Sequence, residues 1–125
     1  MLRAILRCSA LVAILAGCSA ASATPLDPGN DFHCLGVALG FEGLARAHNA
    51  PADQQHATKV VADWYWARNS AHVEARGEEA ITAEMAALVP VIDADFPAAQ
   101  KVMTACTERA TRDPAFNRFA ARYRR

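Results

Sequence analysis

The sequence predicts an all-α fold, a small bundle of four to five helices stapled by one disulfide. The chain is rich in alanine and poor in β-branched residues, and it lacks the apolar–polar alternation that marks a strand. Apolar residues instead recur three and four positions apart, in segments separated by proline, glycine or asparagine. Beyond an N-terminal signal, roughly 100 residues remain, which suits one domain with a modest core.

The N-terminal segment has the pattern of an export signal. Two arginines precede an apolar run at residues 10–16, which is shorter than the roughly 20 residues of a membrane-spanning helix. The run leads into Leu-Ala-Gly-Cys, which resembles the lipobox of bacterial lipoproteins, with Cys18 as the lipidated first residue of the mature protein. The resemblance implies a signal over residues 1–18. Ser19 after the cysteine is similar to lipoproteins bound for the outer membrane.

A second cleavage site competes with the lipobox. A small-x-small sequence ends at Ala23, and cleavage after it would release a soluble periplasmic protein. Residues 19–30 are mostly small or polar and predict a flexible tether, so the helical domain is expected over residues 31–125. Export and a slightly acidic mature chain argue against a nucleic-acid partner.

The cysteines predict the staple. The chain has four, but Cys8 leaves with the signal and Cys18 is either lipidated or removed. In an oxidising compartment the remaining pair, Cys34 and Cys106, predicts a disulfide. Buried free thiols or a metal site are the alternatives, and no further ligands lie at zinc-binding spacing. Closing so long a loop would stabilise the fold by about 4 kcal/mol on the chain-entropy model.

The first helix is predicted over residues 31–48, with Asn30 or Asp31 as its cap. Its apolar face carries Cys34. Another face carries three glycines, each costing about 1 kcal/mol relative to alanine. Close approach of a neighbouring helix would explain them, as would a ligand lying along the smooth groove that they form. These residues are Gly36, Gly40 and Gly43.

The second helix is predicted to begin near Pro51 and to extend as far as residue 72. Its core face includes Val61 and Trp64. Trp66 lies about 200° around the helix from Trp64, so one face cannot bury both indoles. Either the helix contacts neighbours on two sides, or Trp66 is partly exposed.

Glycine and proline divide the following segment. Residues 69–77 are predicted to be the loosest stretch, ending in a turn at Gly77. A third helix begins at Glu78. It is expected to end or kink before Pro90, because proline lacks the N–H that the helix needs there.

The C-terminal segment predicts two more helices. Pro97 starts the fourth, which places Cys106 on its apolar face, and Asp113 caps a short fifth. The fifth helix opposes an aromatic stripe to a basic face that includes Arg118 and Arg122. That face is either simply solvated or contacts anionic lipid headgroups or an acidic partner.

A resemblance to a group of small exported bacterial proteins rests on three features: Cys34 in the first helix, the aromatic stretch at residues 64–68, and the late Cys106. The layout is also similar to HdeA-type acid-stress chaperones and to periplasmic immunity proteins. The resemblance implies binding rather than chemistry, with Tyr65 and Trp66 as the binding surface.

Catalytic and cofactor motifs are absent from the sequence. It contains no haem-attachment, zinc-protease, nucleophile-elbow or phosphate-loop pattern, and its four histidines show no mutual helical spacing. Carboxylate pairs such as Asp93 with Asp95 are expected to be solvated helix ends. We therefore expect no enzyme, no cofactor and no metal.

The sequence predicts an uncharacterised envelope protein that acts by protein binding, as an interaction or immunity-like module. It is expected to be anchored to the outer membrane through Cys18, with further membrane contact through the basic C-terminal helix. The alternative is an acid- or stress-responsive periplasmic chaperone, whose carboxylates and histidines would loosen the bundle on protonation.

Overall fold

The computed structural model describes residues 25–124. The predicted signal, both cleavage sites, Cys18 and residues 19–24 of the tether lie outside this range. Six helices and a final 3₁₀ turn follow in the described part: α1 Asp31–Ala47, α2 Ala52–Arg68, α3 Ser70–Arg76, α4 Glu78–Ala94, α5 Phe96–Arg112, α6 Pro114–Ala121 and the turn Arg122–Arg124. The prediction of an all-α bundle is confirmed.

Side-chain caps fix the starts of three helices. The side chain of Asn30 accepts hydrogen bonds from the first turn of α1, Asp95 accepts one from Ala98, and Asp113 accepts one from Ala115. A proline in the first turn of α5 and of α6 adds a pre-set φ where no N–H is needed. The caps predicted at Asn30 and Asp113 are confirmed, whereas the cap at Asp95 was not predicted.

A disulfide between Cys34 and Cys106 joins α1 to α5, as predicted, with the two Cα atoms 5.7 Å apart. Both cysteines are fully buried. The hydroxyl of Tyr65 on α2 donates a hydrogen bond of 2.6 Å to the carbonyl oxygen of Cys106. Three helices therefore meet at one point, and the core surrounds it.

The segment before α1 is attached to the domain rather than free. Leu26 packs against a second apolar cluster, and Arg109 donates to the carbonyl oxygen of Pro28 at 2.9 Å. Arg109 also pairs with Asp31 at 2.7 Å, and Arg68 pairs with the same carboxylate at 3.0 Å. Residues 26–30, which the sequence assigned to the tether, are thus part of the folded unit.

Helix α2 lies at the centre of the bundle. On α2, the indole of Trp64 makes edge-to-face contacts with Phe116 and Phe119 of α6, at ring-centroid distances of 5.4 and 5.5 Å. The hydroxyl of Tyr123 donates to Asp63 at 2.9 Å and holds the end of the chain against α2. The aromatic stripe of α6 therefore faces inward, as its spacing predicted.

Two segments differ from their predictions. Residues 70–76, within the stretch expected to be the loosest, form α3, which has no buried residue. The imidazole of His72 forms a hydrogen bond with Glu84 of α4, and Arg76 forms an ion pair with the same carboxylate. These contacts lower the pKa of the Glu84 carboxyl. Helix α4 continues past Pro90, because the proline and Ala86, whose carbonyl loses its partner, both lie on the exposed face where water can replace the missing bond.

Replacing both cysteines of the disulfide by serine is expected to lower the free energy of unfolding by about 2–4 kcal/mol, since the 72-residue loop is no longer closed in the unfolded state. Urea denaturation followed by circular dichroism measures this loss. Cys34→Ser alone, which also leaves an unpaired thiol, serves as a comparison. Equal stability of the double variant and the parent would contradict the central role of the staple.

Candidate functional site

The candidate site is an apolar groove between α1 and α4, and the glycines of α1 form one of its walls. The two helices touch at Gly36, where a Cβ atom would lie 2.4 Å from Cδ1 of Leu88. At Gly40 a Cβ atom would be 3.8 Å from Cδ1 of Ile92, and at Gly43 no atom would lie within 4 Å of it. The helices therefore diverge along α1 and leave a wedge-shaped opening.

The wedge encloses a volume of about 420 Å³. Its lining is apolar except for one carboxylate, and two of its side chains are unusually exposed for their type: Leu44 is 38% exposed and Val89 is 54% exposed. Leu44 is exposed because the two helices diverge at this end of α1. The full lining is Gly36, Leu39, Gly40, Gly43, Leu44, Met85, Leu88, Val89, Ile92 and Asp93.

A second apolar hollow adjoins the wedge and reaches Trp66. It has a volume of about 280 Å³ and shares Leu39, Met85 and Val89 with the first. The indole of Trp66 is 48% exposed and forms its outer side. Both alternatives stated for the second helix therefore hold: α2 contacts neighbours on more than one side, and Trp66 is nevertheless partly exposed. We refer to the wedge and this hollow together as the apolar groove.

One charge stands at the open end of the groove. Asp93 is the only ionisable residue among the described residues that line the wedge, and none of the ion pairs found in residues 25–124 involves it. It lies in the last turn of α4, which carries no basic residue. The C-terminal end of a helix already has a partial negative charge. The groove therefore ends in a concentrated negative potential.

Tyr65, predicted as part of the binding surface, is in the core. Its side chain is 0% exposed, because it points to the junction of α1 and α5 and donates to the carbonyl of Cys106. The guanidinium of Arg109 lies 5.2 Å from the centre of its ring. Burial raises the pKa of Tyr65. Its role is to hold the staple in place, and only Trp66 of the predicted pair reaches solvent.

The basic residues predicted as a second part of the surface lie elsewhere. Arg118 and Arg122 are both exposed on the C-terminal segment. Because α6 packs on the Trp64 side of α2, about 200° around that helix from Trp66, α2 separates these arginines from the groove. The structure does not bring Trp66 and the basic face together.

Several residues of the groove carry no signal of function in the sequence. Met85, Leu88 and Ile92 have the spacing of an ordinary core stripe, and Val89 is outside it. The three glycines were the available signal, since they marked a face with either a close neighbour or a ligand. The structure shows a close neighbour at Gly36 and open space at Gly43.

Among residues 25–124, no group of three or more potential metal ligands lies close enough to hold an ion. No helix in the described part of the chain is both long and apolar enough to span a bilayer. No protein-family model matches the chain, and searches of curated proteins and of solved structures found no match either.

Tyr65→Phe is expected to cost about 1 kcal/mol of stability at neutral pH, since the Cys106 carbonyl loses its hydrogen-bond donor. The hydroxyl contributes while it is protonated. Because its pKa is raised in the fold, this contribution is complete below the ordinary tyrosine pKa and falls as pH rises toward the raised value. The difference in the free energy of unfolding between the parent and Tyr65→Phe should therefore become smaller at alkaline pH.

Chemical denaturation at neutral pH and above pH 10 measures both effects. Trp66→Phe is the control, and its half-exposed ring predicts a change within about 0.5 kcal/mol at either pH. A Tyr65→Phe variant as stable as the parent at neutral pH would show that the bond to Cys106 is not needed.

Proposed function

We propose that this protein is an exported binding protein that captures a protein partner through the apolar groove, and that lipidation of Cys18 anchors it in the envelope. The observation that carries the proposal is the groove itself, an apolar surface left open in water, which holds three of the four large apolar side chains that are exposed in residues 25–124, namely Leu44, Trp66 and Val89. An exposed apolar patch rimmed by polar residues is typical of an interaction site.

The groove has the composition of a binding site rather than of an active site. Its two hollows are lined by apolar side chains, glycine and one indole, with a single carboxylate at the end of the wedge and one hydroxyl, that of Thr82, in the second hollow. The Thr82 hydroxyl donates to the carbonyl oxygen of Glu78, and neither hollow is lined by a histidine, cysteine or lysine that could activate it. Such a surface gains free energy by excluding water from an apolar partner. Trp66, as a large and half-exposed ring, is the residue type most often found at the energetic centre of interfaces.

Photocrosslinking in the native host tests this proposal. A benzophenone amino acid in place of Val89 puts the reactive group on the wall of the groove, while the same substitution at Lys101, exposed on α5 outside the groove, is the matched control. We expect a discrete protein adduct from position 89 and none from position 101. The intact mass of the uncrosslinked protein from the membrane fraction should also show a chain that starts at a lipidated Cys18.

Gly43→Leu supplies the second control. Open space surrounds a Cβ at this position, so the leucine side chain should fill the wedge without disturbing the helix. We expect it to abolish the adduct from position 89 while the melting temperature is unchanged or higher. Identical adducts from positions 89 and 101, or an adduct that survives Gly43→Leu, would contradict the proposal. A ladder of many adducts found only in acid would instead support the chaperone alternative.

A further inference from the structure

The apolar groove has a definite length, width and charge, and these three properties specify its occupant more closely than binding alone. We infer that the occupant is an amphipathic helical segment of the partner protein, about two turns long, that carries a lysine or arginine in contact with Asp93. This inference rests on the proposed function and defines the chemistry of the partner.

The length of the wedge gives the number of helical turns that it can hold. From Gly36, where α4 closes against α1, to Leu44 at the open end, the chain advances eight residues along a helix. At 1.5 Å per residue this is about 12 Å, or slightly more than two helical turns. A helix of that length presents three apolar anchors, at positions i, i+3 or i+4, and i+7.

The width of the groove favours a helix over a single apolar chain. The two hollows lie side by side and share a wall made by Leu39, Met85 and Val89. An acyl chain would follow one of them, whereas side chains on neighbouring turns of a helix can enter both. The glycines of α1 also favour a helical occupant, because a helix face without side chains lets the backbone of another helix approach closely.

The charge at the end of the groove specifies one polar contact. Asp93 lies in the last turn of α4, where a carboxylate is unfavourable because the helix end is already negative. None of the ion pairs among the described residues uses it. A cation on the occupant would compensate both the Asp93 carboxylate and the partial negative charge at the C-terminal end of α4. Since the rest of the wedge is apolar, this pair also fixes the direction in which the helix lies.

Selection from a displayed library tests the inference. The library presents one exposed helix of a stable scaffold, with apolar residues varied on one face and all charges varied at the flanking positions, and it is selected against the purified protein. We expect enriched sequences to share apolar anchors at i, i+3 or i+4, and i+7, with lysine or arginine at one flanking position. Asp93→Asn should weaken the best of them about fivefold, the effect of one partly exposed ion pair.

A charge reversal makes the test specific. Asp93→Lys suits the helix terminus, so the fold should persist, and selection against this variant should enrich glutamate or aspartate at the same flanking position. Circular dichroism and the melting temperature confirm that each variant is folded. Gly43→Leu, with the wedge filled, should enrich no helix at all.

The remaining outcomes separate this inference from the proposed function. Helices enriched without any charge preference, or with the same preference on Asp93→Lys, would overturn the inference and leave the groove as a binding site. Palmitate that binds the parent but not Gly43→Leu, with no helix enriched, would also overturn it, because the occupant would then be a lipid. If neither helices nor palmitate bind and position 89 gives no crosslink, the proposed function fails too.

Discussion

The covalent bond between Cys34 and Cys106 determines which face of α1 is buried, and the rest of the structure follows from that choice. The bond turns this side of α1 toward α5, while the Tyr65 hydroxyl brings α2 to the same carbonyl. One turn beyond Cys106, Arg109 reaches back to Asp31 and the segment before α1. The segment before α1 is thereby held beside the same buried point.

The groove is a consequence of this arrangement. The glycines of α1 lie about 200° around the helix from Cys34, so burying the cysteine side leaves the glycine side for α4 alone. Helix α4 closes on Gly36 but diverges from Gly43, and nothing else in the described residues fills the gap. Three apolar side chains stay about half-exposed as a result: Leu44, Val89 and Trp66. Burying apolar surface stabilises a fold by about 25 cal/mol per Å², so their exposure lowers the hydrophobic stabilisation of the free protein. A partner that covers this surface would recover part of it.

Much of the fold could be predicted because its signals are local. The caps at Asn30 and Asp113 depend only on the residues next to them in the sequence. The staple joins distant residues, but it could be predicted because Cys34 and Cys106 are the only two cysteines that remain after the signal and Cys18 are set aside. Helix α3 was missed for the opposite reason. It buries no residue and is held by polar contacts of His72 and Arg76 with Glu84, which the spacing of apolar residues does not reveal.

The candidate site was predicted in part. A helical wheel shows that Trp64 and Trp66 lie on different faces, but it does not show which neighbours contact each face of a central helix. For this reason Tyr65 was predicted to be on the surface, although it is buried against the disulfide. Asp93 was interpreted as a solvated helix end, since its position at the mouth of a groove depends on how α4 leans against α1.

The apolar groove between α1 and α4 is the proposed binding surface for partners, and this placement can be tested. Amide chemical-shift mapping of the labelled protein, titrated with a helical segment enriched in the selection, tests it most directly. If the segment binds in the apolar groove, the chemical-shift changes should be concentrated at residues 36–44 and 81–93 and at the Trp66 indole, and α6 should be unaffected. Shifts centred on Arg118 and Arg122, with residues 36–44 unchanged, would contradict it and place the binding surface on the basic C-terminal face.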